Sequence, residues 1–230
     1  MNKHSTLLDK LIKAATLFLF LFIPLYPKLP LFDIAYTWVY IRLEDLVVAA
    51  VVGLYIARWR LPRDNPLFKP ILVYWIVGFV STLISITILG RTIWHYFPHL
   101  TILHYFRRIE YMIVFFVAAA TIGSKRDIAH YLVAFTLTTL LVSIYAYGQK
   151  FMEFPAFLTL NEEFAKGEPL ILSQTSRITS TFAGHYDLAA YLVFAIVLFA
   201  SLILGLRNLF VRLGLAMASV TSFIVLLWTQ

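Results

Sequence analysis

The sequence contains no cysteine, which removes thiol nucleophiles, structural disulfides and cysteine-rich zinc sites from consideration. Charge is also scarce: Lys, Arg, Asp and Glu together make up 13% of the 230 residues, about half the share of an ordinary soluble domain. No Walker loop, dinucleotide-binding glycine fingerprint or HExxH zinc-protease helix occurs, so none of these motif-borne chemistries is indicated. Alternating apolar–polar segments of about ten residues are missing, which argues against an outer-membrane barrel. There is neither an internal repeat nor a low-complexity tract.

What is present is apolar. Hydrophobic residues make up 61% of the chain, including 20 Phe, 13 Tyr and 5 Trp. Several runs approach the length needed to cross roughly 30 Å of hydrocarbon as helix. The expected fold is all-α: a polytopic transmembrane helical bundle forming a single domain over 1–230, with about seven spans near 11–30, 43–58, 67–89, 109–122, 128–149, 184–206 and 212–229. The fourth is short and can extend backwards through "LHYFRRIEY". Lys3, Lys10 and Lys13 precede the first span, as in a signal peptide, but Pro24, Pro27 and Pro30 follow it where a small-x-small cleavage site would stand. That span is read as retained.

The net charge of +7 fits basic loops on the cytoplasmic side rather than nucleic-acid binding. With the N-terminus inside, the inner segments hold Lys3, Lys10, Lys13, Arg58, Arg60, Arg63, Lys69, Lys125, Arg126, Arg207 and Arg212, eleven of the 19 basic residues, against Asp9, Asp64 and Asp127 among 12 acids. A cytoplasmic N-terminus follows from this bias. Two outer loops then stand out, at about 91–108 and 151–183. The second is long for a helix-to-helix connection; its "NEEFAKGEP" core is polar, and "FMEFPAFLTL" has the composition of an interfacial segment. The aromatic residues, among them Trp38, Tyr40, Trp94 and Tyr96, read first as interfacial belts.

The polar cluster "RITSTFAGHYD" immediately before an apolar span carries the most chemistry. A guanidinium grips a phosphate through two parallel hydrogen bonds, and hydroxyls and free N–H groups at a helix start add donors. Arg177 beside Thr179, Ser180 and Thr181 therefore suits an anionic oxygen ligand, the plainer reading being an interfacial arginine reaching towards water. His185 and Asp187 suit either acid–base work or a helix start favouring negative charge. Arg107 and Arg108 with Glu110 lie at the outer end of a span, as lipid head-group ligands or interfacial anchors. Arg42, Glu44 and Asp45 read as the charged start of the second span. His95, His99 and His104 form no metal set, because Pro98 interrupts a common helix and no carboxylate completes the ligands.

"RITSTFAGHYDLAAYL" resembles the signature of the O-antigen ligase and polymerase family, in which an arginine precedes Gly-Thr-Phe, an Asn-Pro-Asn-like turn and Leu-Ala-x-Tyr-Leu. Arg177, Thr181, Phe182, Leu188, Ala189 and Tyr191 fall in register, whereas Ser180 replaces the glycine and "GHYD" replaces the turn. "IRLEDLVVA" and the terminal "LLWTQ" are similar to two further family segments. The resemblance covers the N-terminal half of such a protein, so the chain is expected to be truncated from a bundle of about ten to twelve spans and to be inactive alone.

It implies a multi-pass glycosyltransferase of the bacterial inner membrane that moves or polymerises an undecaprenyl-diphosphate-linked glycan on the outer face. Its partners would be a lipid-linked oligosaccharide donor, a lipid or glycan acceptor and membrane lipids, with no nucleic acid, cofactor or metal. On this reading Arg177 and Thr181, helped by Arg107 and Arg108, bind the diphosphate, and His185 is the fallback for an otherwise unassigned base. The competing expectation is a transporter or flippase-like carrier, for which charged residues at mid-span would be anticipated. The apolar runs here are nearly charge-free at their centres.

Overall fold

The computed structural model describes residues 7–32, 34–37, 40–58, 62–159 and 164–230. Lys3, Trp38, Arg60 and the Asn161–Glu163 part of "NEEFAKGEP" lie outside the described residues. The fold is nearly all-α, with 71% of residues helical. The helices are α1 (Leu7–Leu25), α2 (Leu43–Ala57), α3 (Phe68–Thr92), α4 (Pro98–Thr121), α5 (Lys125–Phe151), α6 (His185–Gly205) and α7 (Leu209–Leu227). A short antiparallel pair, β1 (Pro30–Phe32) with β2 (Ile41–Arg42), joins α1 to α2.

Four helices, α3, α5, α6 and α7, are long and apolar enough to cross a membrane, which marks the chain as a membrane protein. The other three expected spans fall short of this, each for a visible reason. In α1, Asp9, Lys10 and Lys13 crowd the first two turns. The 15 residues of α2 rise only about 22 Å, less than a hydrocarbon core. The fourth span does extend backwards, to Pro98, but the resulting 24-residue helix carries Arg107, Arg108 and Glu110.

Helix boundaries follow local chemistry. Pro98 sits in the first turn of α4, where its missing N–H is not needed, after Phe97 in the extended conformation that proline demands of its predecessor. Asn208 caps α7, its side chain accepting from the N–H groups of Phe210 at 3.0 Å and Val211 at 3.3 Å. Thr136, Thr138 and Thr139 of α5 each donate to the carbonyl four residues back, which satisfies their hydroxyls inside an apolar helix.

The chain forms two compact units: Met1–Thr16 with Asp45–Asp127, and Leu17–Glu44 with Ile128–Gln230. In the first, the Tyr105 hydroxyl of α4 donates to Trp75 O of α3 at 3.0 Å. The π-helical turn of α3, Ser85–Leu89, carries Ser85, whose hydroxyl meets Tyr96 at 3.0 Å, and Tyr96 in turn meets Thr101 at 2.8 Å. Ion pairs join Arg58 to Asp9 at 2.7 Å, Arg107 to Asp45 at 3.3 Å, and Lys13 to Asp127.

In the second unit, α5 packs on the α6–α7 hairpin. One core cluster contains Val142, Ala146, Ile178, Leu188, Leu192 and Val225; another contains Phe135, Ala195, Phe199, Leu215 and Ala218. The alanines permit close helix approach, and Thr139 and Tyr191 share a hydroxyl hydrogen bond of 2.9 Å across it. The long connection after α5 is folded against the bundle over part of its length. Ala156 and Leu170 pair through reciprocal N–H···O bonds of 2.8 and 2.9 Å, and Ala156, Leu158, Ala165 and Ile178 are buried.

Gly148 makes room for this connection, because a methyl group there would overlap the Phe154 ring, including its Cγ. Phe154 stacks edge-on against Tyr145. Gly148→Ala is therefore expected to displace the ring and lower stability by about 1–2 kcal/mol. An unchanged thermal-unfolding midpoint for the variant would contradict this packing.

Candidate functional site

The site lies in the second unit, at the segment 177–185 that leads into α6. Ser180 adopts φ 51°, the left-handed region that favours glycine. It is held there from three directions. Its N–H donates to Gln149 Oε1 at 2.7 Å, its carbonyl accepts from Gln149 Nε2 at 3.0 Å, and its hydroxyl donates to Val142 O at 2.7 Å. Gln149 is 3% exposed, and its Nε2 also donates to Pro155 O at 3.1 Å. One amide near the C-terminal end of α5 thus ties two loop segments to the bundle.

The neighbouring residues add further ties. Ile178 N–H donates to Trp228 O at 3.0 Å, beyond the end of α7, and Phe182 N–H to Thr179 O at 3.0 Å. Thr159 N–H donates to Ala183 O at 3.1 Å. The Thr181 hydroxyl donates to Pro24 O of α1. Thr181 is buried, and its one proton is used by a backbone carbonyl. It acts as a lock on the segment rather than as a donor presented to a ligand.

With its middle fastened, the segment holds its two ends together at the surface. Arg177 is exposed, and its Nη1 lies 3.1 Å from His185 Nε2 at the first position of α6. A guanidinium can only donate, so Nε2 is the acceptor and the imidazole proton sits on Nδ1. The ring also lies against Tyr186, with centroids 4.1 Å apart, and Tyr186 is 72% exposed. Gly184, just before α6, is extended at φ −162°, a conformation open to any residue. Asp187 lies exposed in the first turn of α6, where the helix dipole favours an acid. Gly184, at the N-cap, makes no side-chain capping bond.

A second polar group reaches the same segment through Thr159, whose N–H bonds Ala183 O. Lys28 pairs with Glu44 and donates to Ile23 O at 2.9 Å, while Arg42 Nη1 reaches Glu44 at 3.2 Å. Arg42 Nη2 also donates to the Thr159 hydroxyl at 3.3 Å. These charges are largely buried, and burial without partners would be costly. Glu44 is thus both an acid in the first turn of α2 and the hub of an ion network, a role that spacing alone did not show.

The structure brings Arg177 and His185 into contact and turns the Thr181 hydroxyl to Pro24 O. Arg107 and Arg108 belong to the other unit, where Arg107 bonds both carboxylate oxygens of Asp45 at 3.3 Å and Arg108 is exposed. His95 stands at φ 66° just ahead of α4, and His99 and His104 lie on that helix. Among the described residues, no group of three or more His, Asp or Glu side chains could hold a metal ion. Sequence reasoning missed Gln149 and Lys28. The available signal was a polar amide and an amine at the ends of apolar runs, in "YGQKF" and "LYPKLP".

The arrangement offers an anion an exposed guanidinium, an uncapped helix N-terminus and an imidazole whose orientation the guanidinium fixes. No protein-family model, curated protein or solved structure matches the chain, so its functional reading rests on these residues.

Proposed function

We propose that this protein handles the lipid-diphosphate donor of an O-antigen ligase-like glycosyltransferase on the outer face of a bacterial inner membrane, with its N-terminus cytoplasmic and α1, α2 and α4 completing about seven membrane passages. The observation that carries the reading is Arg177: an exposed guanidinium on a segment whose neighbours are buried and multiply bonded. Ser180 adds support, since its left-handed backbone occupies the position where the resembling signature has glycine. The tying of "RITSTF" to α1, α5 and the end of α7 gives that signature a physical purpose, the fixing of one cation at a helix head.

In the reaction, an acceptor hydroxyl oxygen bonds to the anomeric carbon of the glycan. The bond from that carbon to the diphosphate oxygen breaks, and its electron pair stays on the diphosphate. Negative charge on the leaving group therefore grows as the bond breaks. A prepositioned guanidinium stabilises that charge more in the transition state than in the ground state. The acceptor proton needs a base, and His185 is the candidate beside Arg177; its Nε2 can take that proton only once the Arg177 N–H turns from the imidazole to the diphosphate. Arg107 and Arg108 are the weaker candidates for diphosphate contact, Arg107 being already engaged with Asp45.

Ligand binding tests the reading. Long-chain polyprenyl diphosphate should raise the thermal-unfolding temperature of the detergent-purified protein, polyprenyl monophosphate should raise it less, and neutral polyprenol should not raise it. Equal shifts for the diphosphate and the neutral alcohol would remove the diphosphate from the proposal.

A further inference from the structure

A cavity of about 520 Å³ lies in the second unit, between the first half of α5 and the α6–α7 hairpin. Its volume falls within the range of about 300–1,000 Å³ typical of small-molecule sites. Its lining includes Leu132, Thr136, Leu140, Leu206, Val211 and Gly214. Thr136 offers no free donor, since its hydroxyl bonds Leu132 O at 2.8 Å. The interior therefore suits hydrocarbon.

All three enclosing helices are long and apolar enough to cross a membrane. The connection between α6 and α7 then stands where a span ends, at the level of lipid head groups. Arg207 directly follows lining residue Leu206, and Arg212 directly follows lining residue Val211. Both arginines are exposed, and neither guanidinium has an ion pair or hydrogen bond among the described residues. No Asp or Glu occurs between Asp187 and Gln230, and Asp127, two residues before lining residue Ala129 on α5, is paired with Lys13. Asn208 occupies the N–H groups of Phe210 and Val211, leaving the two guanidiniums as the anion ligands of this corner.

We propose that this corner is a binding site for an anionic phospholipid, with one acyl chain in the cavity and the head-group phosphate held by Arg207 and Arg212. Basic corners between membrane helices attract anionic head groups, whereas a zwitterionic lipid brings no net charge. Charge complementarity commits the site to a lipid anion, and the adjoining apolar cavity distinguishes that lipid from free phosphate.

The test uses the full chain purified in neutral detergent, with phosphatidylglycerol, phosphatidylcholine or inorganic phosphate added and retained lipid measured by native mass spectrometry. Phosphatidylglycerol should be retained roughly tenfold or more over phosphatidylcholine. R207Q/R212Q should bring the two lipids level, while circular dichroism shows unchanged helix content, since neither side chain has an internal partner. Gly214→Leu supplies an independent arm, because a Cβ at Gly214 meets nothing within 4 Å and the side chain can enter the cavity without displacing the fold. That variant should remain folded and lose phosphatidylglycerol. Equal retention of both lipids by the wild type, selectivity surviving in R207Q/R212Q, undiminished retention in Gly214→Leu, or displacement of the lipid by millimolar phosphate would each overturn the proposal.

Discussion

Replacing Arg177 with alanine in the full-length protein is expected to reduce glycan transfer roughly a hundredfold or more while leaving the amount of folded protein unchanged. The two parts of this expectation have separate grounds. Arg177 is exposed, and among the described residues its guanidinium bonds only His185, so its loss should alter stability by no more than about 0.5 kcal/mol. Its proposed work is confined to the charge that develops on the departing diphosphate, where losing one preorganised donor is severe. Arg177→Lys should recover only part of the rate, because an ammonium supplies a point charge without the planar fork of two donors. Normal transfer by Arg177→Ala at normal protein level would show that the diphosphate is held elsewhere.

Gln149→Leu should destabilise the second unit by about 3 kcal/mol, since two buried backbone groups lose their partner at about 1–3 kcal/mol each. The orphaned groups are the N–H and carbonyl of Ser180, whereas Pro155 O keeps the Tyr145 hydroxyl at 2.8 Å. The left-handed backbone of Ser180 would then be held by its own hydroxyl bond to Val142. Amide exchange across 177–184 should accelerate, and transfer should fall because the guanidinium loses its fixed position. The variant separates positioning from chemistry: Arg177→Ala should abolish transfer without loosening the segment, and Gln149→Leu should loosen the segment while Arg177 is still present. Unaltered exchange in Gln149→Leu would mean that this lock is not what holds the segment.

What could be read from the sequence was local. Pro98 marked a break between His95 and His99, and the apolar run after Asp187 marked α6, because both depend on backbone chemistry within a few residues. The nearly all-α class followed from apolar runs alone. The seven-span expectation ran past the four helices of sufficient length and hydropathy, because apolar runs cannot say where a helix ends or how charges such as Asp9 and Lys13 are paired. Arg177 and His185 were each visible, but their contact depends on a turn centred on Ser180 whose lock comes from 31 residues earlier. Arg42 reaches Thr159 across 117 residues, a pairing with no periodic signal. The bond of Thr181 was hidden for the same reason: its carbonyl partner, Pro24, is 157 residues away. Long-range polar contacts require the fold, and this site consists largely of them.

The most direct measurement incorporates the full-length protein into proteoliposomes with an undecaprenyl-diphosphate-linked glycan labelled in its sugar, together with a lipid or glycan acceptor. Label should move from donor to acceptor, with release of undecaprenyl diphosphate, in wild-type vesicles and not in Arg177→Ala vesicles. Intact donor in the wild-type vesicles, accompanied by counterflow of solute or lipid-linked glycan across the bilayer, would contradict the transferase reading and establish a carrier instead.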